Sequence, residues 1–215
     1  MPRIVRQKPY FRLSRRDNPS IQLLVGIDEA GRGPLAGPVV AGAVVLNAKL
    51  PIKGLADSKK LTRMKRECLF DEIKERALAY GIGIADAREI DSLNILQASL
   101  LAMRRAYTAT NVEADEVWVD GDKDPAIPAP TFTLVGGDAK MAAISAASIL
   151  AKVTRDRMME DYARSYPQYA FERHKGYPTA LHLTLLRKFG PCPIHRRSFA
   201  PVRNVWRSQF VGSHE

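Results

Sequence analysis

Two kinds of hydrophobic pattern alternate along the chain. Short, almost wholly apolar runs bounded by glycine, proline or aspartate read as buried strands, and longer charged stretches with apolar residues three and four apart read as amphipathic helices. The first apolar run, Ile-Gln-Leu-Leu-Val-Gly-Ile at 21–27, leads into Asp28. A cluster of Gly31, Gly33, Pro34, Gly37 and Pro38 follows, then a second strand pattern from Val39 to Leu46. A connection this short predicts an antiparallel pair, because a parallel pair needs a longer crossover. Further strands are predicted at 81–87, at 116–119 ending on Asp120 and Gly121, and at 131–135 ending near Gly136, Gly137 and Asp138. Leu61, Met64, Cys68, Ile73 and Ala77 predict a helix over 57–80. Leu93, Leu96, Leu100, Met103 and Tyr107 predict a second, Ile144, Ala147, Ala151, Met158 and Tyr162 a third, and residues 181–189 a fourth. Strands early and helices interleaved later, with no internal linker, predict one mixed α/β domain over residues 21–200. Residues 1–20, broken by Pro9 and Pro19 and without periodicity, read as a mobile basic arm, and residues 201–215 as a C-terminal tail.

Composition narrows the class. The chain has 215 residues, enough for one sizeable core. No apolar run reaches the roughly 20 residues that span a bilayer, and the basic start has no apolar stretch behind it, so neither a membrane span nor a secretory leader is expected. Two cysteines, Cys68 and Cys192, are too few for a disulfide framework and fit a reducing, cytoplasmic setting. The formal charge is +10. It is concentrated at the ends: residues 1–20 hold six basic side chains against one acid, and residues 171–215 eight against two. Basic ends on a near-neutral body fit a polyanion binder, although a solubilising excess accounts for the charge equally well.

The candidate chemistry lies in the acids. Asp28, Asp120 and Asp138 each follow an apolar strand where the chain turns through glycine. If these strands share a sheet, their ends gather, and clustered carboxylates call for a hard cation such as Mg²⁺ or Mn²⁺. Taken singly, each reads more simply as a turn residue, Asp120 before Gly121 above all. Glu29 beside Asp28 points to the opposite face of a regular strand, so both reach one metal only if the strand ends or bulges there. The glycine spacing does not match a dinucleotide or nucleotide-hydrolase loop, and the four histidines, His174, His182, His195 and His214, show no paired ligand spacing.

Asp28-Glu29-Ala30-Gly31-Arg32-Gly33-Pro34 resembles the opening signature of the type 2 ribonuclease H family, ribonuclease HII. Asp57-Ser58-Lys59-Lys60-Leu61, Val119-Asp120-Gly121, Gly137-Asp138, the Ser145 to Asp156 segment and His174-Lys175-Gly176-Tyr177 follow in the family's order. Arg32, where the sister type HIII usually has lysine, favours HII, and Leu35-Ala36-Gly37-Pro38 resembles the bacterial branch. The resemblance implies a ribonuclease H-like α/β fold, with a five-stranded mixed sheet flanked by helices and a C-terminal helical segment. It implies an endonuclease that cleaves the RNA strand of RNA–DNA hybrids and incises 5′ of single ribonucleotides in duplex DNA, as in ribonucleotide excision repair. Two-metal-ion hydrolysis with Mn²⁺ or Mg²⁺ would leave 3′-hydroxyl and 5′-phosphate ends. Asp28, Glu29, Asp120 and Asp138 match the catalytic, metal-holding acids. Gly31, Arg32 and Gly33 match the loop that approaches the 2′-hydroxyl, and Tyr177 the tyrosine that packs on the junction sugar. Lys59, Lys60 and Lys152 are candidate phosphate contacts, while Ser145 to Ser148 are expected to serve close helix packing. Arg3 to Arg16 and Arg196 to Arg207 are candidates to grip flanking duplex. A monomer is expected.

Overall fold

In the computed structural model, which describes residues 4–7, 13–14, 22–56, 58 and 60–211, the apolar runs form one mixed sheet in the order β1-β4-β3-β2-β5-β6. The expected strands are β2 (Leu24–Ala30), β3 (Val39–Val45), β4 (Ala79–Ala85), β5 (Glu116–Asp120) and β6 (Thr131–Leu134). β2 and β3 pair antiparallel across the glycine loop, as its length requires. β5 lies parallel to β2, and β6 parallel to β5. A sixth strand joins these five: β1 (Ile4–Gln7), inside the segment expected to be a mobile arm, pairs antiparallel with β4. Its Ile-Val start suits a pleated edge, and β4 offers unpaired backbone groups on that side. Leu13 makes a further isolated bridge to Val112.

Helices cover both faces. α3 (Ile95–Thr110) packs on β4, β3 and β2, and α4 (Ala142–Ser165) packs on β2 and β3 from the other side. Glycines in the strands let helix backbone rest on strand backbone: a Cβ on Gly42 would lie 2.4 Å from the Ala147 carbonyl oxygen of α4, and one on Gly83 2.0 Å from that of Ala102 in α3. α1 (Arg63–Arg76) lies beside α4 and is shorter than the 57–80 pattern predicts. Thr62 caps its first turn through the Lys65 amide, and Ala79 and Tyr80 belong to β4, where the sheet offers more backbone pairing than a helix end. The second predicted helix is two: α2 (Ala87–Leu93), started by a capping box of Asp86 and Glu89, and then α3, whose cap is Asn94. A single turn, α5 (Phe171–His174), precedes α6 (Ala180–Phe189), and α7 (Ala200–Val211) makes most of the C-terminal tail helical. No described helix is long and apolar enough to cross a membrane.

Candidate active site

The parallel pairing of β2 and β5 sets the geometry. Ile27 is in register with Val119, and the next residue on each strand is an acid, Asp28 and Asp120. Val25, Ile27, Val117 and Val119 enter the core under α3, so alternation turns Asp28 and Asp120 to the α4 face. Asp28 is buried at 5% exposure, and its Oδ1 accepts from the Glu29 amide at 2.7 Å. The Ser148 hydroxyl, 2.8 Å from the Ser58 hydroxyl, lies near this carboxyl and pulls its pKa down. Ser148 therefore does more than allow the close helix packing expected of it. Asp120 Oδ1 accepts from the Gly137 amide at 2.7 Å, which ties the turn after β6 to the end of β5. Asp138, next in that turn, is buried, and its carbonyl oxygen accepts from the Ser145 hydroxyl.

Glu29 corrects an expectation. The strand neither ends nor bulges at this point, since Glu29 pairs with Ala41 and Ala30 with Val40 in unbroken register. Glu29 accordingly points to the α3 side, into a crevice shared with Arg32, Ser99, Met103, Asp120 and Gly121. The longer glutamate side chain at a strand end still senses Asp120, as does Asp28. Burial, then the charges of Glu29 and Asp120, push the Asp28 carboxyl well above the usual carboxylate range. Burial also raises Glu29, against the opposing pull of Arg32, whose Nη1 lies 3.3 Å from Oε1. Oε2 of Glu29 is buried without a hydrogen-bond partner.

Among the described residues no three His, Cys, Asp or Glu side chains converge into a closed metal shell. The donor chemistry nonetheless fits a hard divalent cation: mutually repelling carboxylates on adjoining strand ends, one with an orphaned buried oxygen, gain most from positive charge between them.

The glycine loop is held from below by two arginines. Gly31 has φ +100°, and a Cβ there would lie 2.1 Å from Arg155 Nε, so glycine is required. Arg155, 1% exposed, donates to the Pro38 and Ala36 carbonyl oxygens at 3.0 and 3.2 Å. Arg196, fully buried, donates to those of Gly31, Arg32 and Gly37 at 2.6, 2.9 and 2.9 Å. Burial lowers Arg155 to about 10 and Arg196 to about 9, so both stay charged at neutral pH. Arg196 is thus a structural staple and not the duplex contact expected of it. An arginine in a basic run reads as surface charge in sequence, and nothing there marks Arg196 as buried.

Gly33 is open except towards Tyr177, whose Cε1 would lie 3.7 Å from a Cβ at that position. Tyr177 is 42% exposed, with the Arg155 guanidinium 5.8 Å from its ring centre. The Leu35 amide donates to Gly176 at 2.8 Å and joins the two segments. The loop and Tyr177 therefore face one another. Lys152 is paired with Asp156 at 2.7 Å, Lys60 is exposed, and Asp57 and Lys59 lie outside the described residues, as does most of Arg3 to Arg16.

Carboxylates on adjoining ends of β2 and β5 in a mixed sheet, flanked by a glycine loop, define a nuclease of the ribonuclease H-like class. The family model described as "Ribonuclease HII" matches residues 25–202. The ribonuclease HII of Marinomonas sp. (strain MWYL1) is 61% identical over 184 residues, covering 85% of this chain and 92% of that protein. That of Polaromonas sp. (strain JS666 / ATCC BAA-500) is 58% identical over 185 residues, covering 86% and 93%. The crystal structure of ribonuclease H2 from Pyrococcus horikoshii OT3 superposes with a TM-score of 0.69 at 30% identity, over 86% of this chain and 97% of that one. Bst-RNase HIII in complex with Mn²⁺ shares the fold, with a TM-score of 0.67 at 18% identity over 88% and 71%. The chain belongs to the ribonuclease HII family. It is a ribonuclease H, a hydrolase that acts on RNA–DNA hybrids.

Proposed function

We propose that this enzyme, besides cutting the RNA strand of hybrids, incises duplex DNA on the 5′ side of a single embedded ribonucleotide, leaving 3′-hydroxyl and 5′-phosphate ends. The observation that carries the reading is the position of Asp28 and Asp120, each one residue beyond the paired Ile27 and Val119 at adjoining strand ends, beside the orphaned Oε2 of Glu29. Asp28, Asp120 and Asp138, with Glu29 reaching round the strand end from the α3 side towards Asp120, are the residues to hold two divalent cations, Mg²⁺ or Mn²⁺. Such ions supply a bound water of lowered pKa and positive charge for the leaving oxygen. The chain's own residues orient the substrate. Gly31 and Gly33 allow backbone to approach a 2′-hydroxyl, which alone distinguishes ribose at one position. Arg32, half-exposed and balanced on Glu29, lies where a phosphate can draw it away. In this reading Tyr177 presents its ring to the sugar across the loop and Lys60 and Lys152 meet flanking phosphates, Lys152 only by releasing Asp156, while Lys59 takes the same role from the sequence resemblance alone.

The test is a nicking assay on duplex DNA with one ribonucleotide, a matched all-DNA duplex and a continuous hybrid, each with Mg²⁺ or Mn²⁺. Cleavage 5′ of the ribonucleotide, absent on all-DNA and lost in Asp120→Asn, is expected. Full activity in Asp120→Asn would sink the assignment of the acids, and uncut single-ribonucleotide duplex the assignment of the substrate.

A further inference from the structure

Three of the four histidines, unrelated by spacing in sequence, meet beneath Tyr177. His182 is fully buried, His195 2% exposed and His174 7% exposed. The rings of His174 and His182 stack with centres 4.3 Å apart, beside Phe171. Their ring nitrogens face one another or backbone groups and do not aim at a common point, so the cluster is not a metal shell.

The hydrogen bonds fix the position of every ring proton. The Cys192 amide donates to His195 Nδ1 at 3.0 Å, so that nitrogen is an acceptor, with Cys192 Sγ 3.1 Å from it. The His195 proton therefore sits on Nε2, 3.1 Å from His182 Nε2. His182 Nε2 accepts it, which leaves the His182 proton on Nδ1, where it donates to the Tyr177 carbonyl oxygen at 3.0 Å. His174 works in parallel. It accepts from the Gly176 amide at Nδ1, 3.2 Å, and donates from Nε2 to the Tyr169 carbonyl oxygen at 2.9 Å. The peptide after Tyr177 is thus held by the His182 ring. The one before it is held by backbone, the Tyr177 amide donating to the His174 carbonyl oxygen at 2.9 Å and the Gly176 carbonyl oxygen accepting from Leu35 at 2.8 Å. The His174 ring secures the Lys175–Gly176 peptide, and only neutral rings satisfy the chain. Burial agrees, lowering His182 to about 4 and His195 to about 3.

We propose that His182 and His195 are positioning residues whose directed chain from Cys192 to the Tyr177 carbonyl oxygen fixes the Tyr177 ring across the glycine loop and so sets discrimination at the ribose. This rests on the reading of Tyr177 above. A ring held only by its Cα would sweep the substrate surface. One held at both adjacent peptide groups keeps its place before substrate arrives, and that preorganisation is where specificity is gained.

Asparagine and glutamine separate the two ring nitrogens. In His182→Asn the amide nitrogen replaces Nδ1 and can still donate to Tyr177, whereas in His182→Gln it replaces Nε2 and the donor to Tyr177 is gone. The readout is the ratio of kcat/KM on single-ribonucleotide duplex to kcat/KM on continuous hybrid. His182→Gln should lower this ratio about tenfold, the scale of one buried hydrogen bond, chiefly through KM on the single-ribonucleotide duplex. His182→Asn should restore the ratio to within about threefold. An equal fall on both substrates, not rescued by asparagine, would mean a structural role only and overturn the proposal. If Tyr177→Ala loses the ratio and His182→Gln keeps it, the relay fails while the Tyr177 reading stands. If Tyr177→Ala itself keeps the ratio, both fail. Ring ¹⁵N shifts of the unmutated protein at neutral pH provide a test free of folding effects: a protonated Nδ1 on His182 and Nε2 on His195 is expected, and the reverse tautomers would overturn the chain.

Discussion

Replacing Arg196 with lysine keeps the charge and most of the side-chain volume but removes the planar fork. The three carbonyl oxygens that Arg196 serves, on Gly31, Arg32 and Gly37, are spread around a guanidinium and cannot all be reached by one ammonium. If lysine satisfies one, two buried or half-buried acceptors are left unpaired, at about 1–3 kcal/mol each. The expected loss is therefore about 4 kcal/mol, a large share of the ~5–15 kcal/mol that stabilises a typical domain. For a chain of this size that corresponds to a fall in melting temperature of about 8–16 °C. Because the same carbonyls shape the loop opposite Tyr177, KM on single-ribonucleotide duplex should rise more than kcat falls. Calorimetry and steady-state cleavage measure both. A melting temperature within about 2 °C of the unmutated protein together with unchanged KM would refute the view that Arg196 holds the loop.

Asp28→Asn should abolish cleavage yet raise the melting temperature in chelator: a folded-state pKa lifted above the unfolded value means the ionised carboxylate costs stability at neutral pH. A lower melting temperature in chelator would contradict this, and added Mn²⁺ or Mg²⁺ should stabilise only the unmutated protein. Gly42→Ala, whose new Cβ would press on the Ala147 carbonyl oxygen, should cost about 1–3 kcal/mol or more by chemical denaturation; a neutral result would mean that α4 can lift off the sheet. The histidines predict an acid loss. With His182 near 4 and His195 near 3 against 6.5 when unfolded, the unfolded chain binds more protons as pH drops below 6.5. Stability from each ring then falls by up to about 1.4 kcal/mol per pH unit until its folded value is passed. The melting temperature of the unmutated protein should drop faster from pH 6.5 to 4 than that of a His182→Gln/His195→Gln double variant, and equal slopes would show that the rings are not buried neutral.

What the sequence made legible was local. Apolar runs bounded by turn residues locate five strands, the 3.6 period locates the long helices, and a two-strand pair around a glycine loop allows only one orientation. The register that brings Asp28 beside Asp120 needs one further fact, the parallel pairing of β2 with β5, which no local pattern states. Glu29 shows the cost of that gap: alternation correctly put it on the other face, yet the bulge inferred to bring it back does not exist. The helix expected over 57–80 ran too long because charged residues continue the pattern on both sides of α1, while the cap at Thr62 and the sheet edge at Ala79 decide its ends. Arg196 and the histidines were illegible for another reason. Their roles depend on burial and on partners up to 165 residues away in the chain, and an isolated Arg or His carries no mark of either.

The short first strand bears on how the enzyme can be handled. β4 is paired with β3 on one side and with Ile4–Gln7 on the other. Removing the N-terminal segment to ask whether its arginines grip nucleic acid would also strip the outer rail from a seven-residue strand, leaving a ready template for a second molecule. Changing the arginines to glutamine while keeping the backbone separates the two effects. A salt dependence measured on a shortened protein would mix lost phosphate contacts with a new tendency to stick to itself.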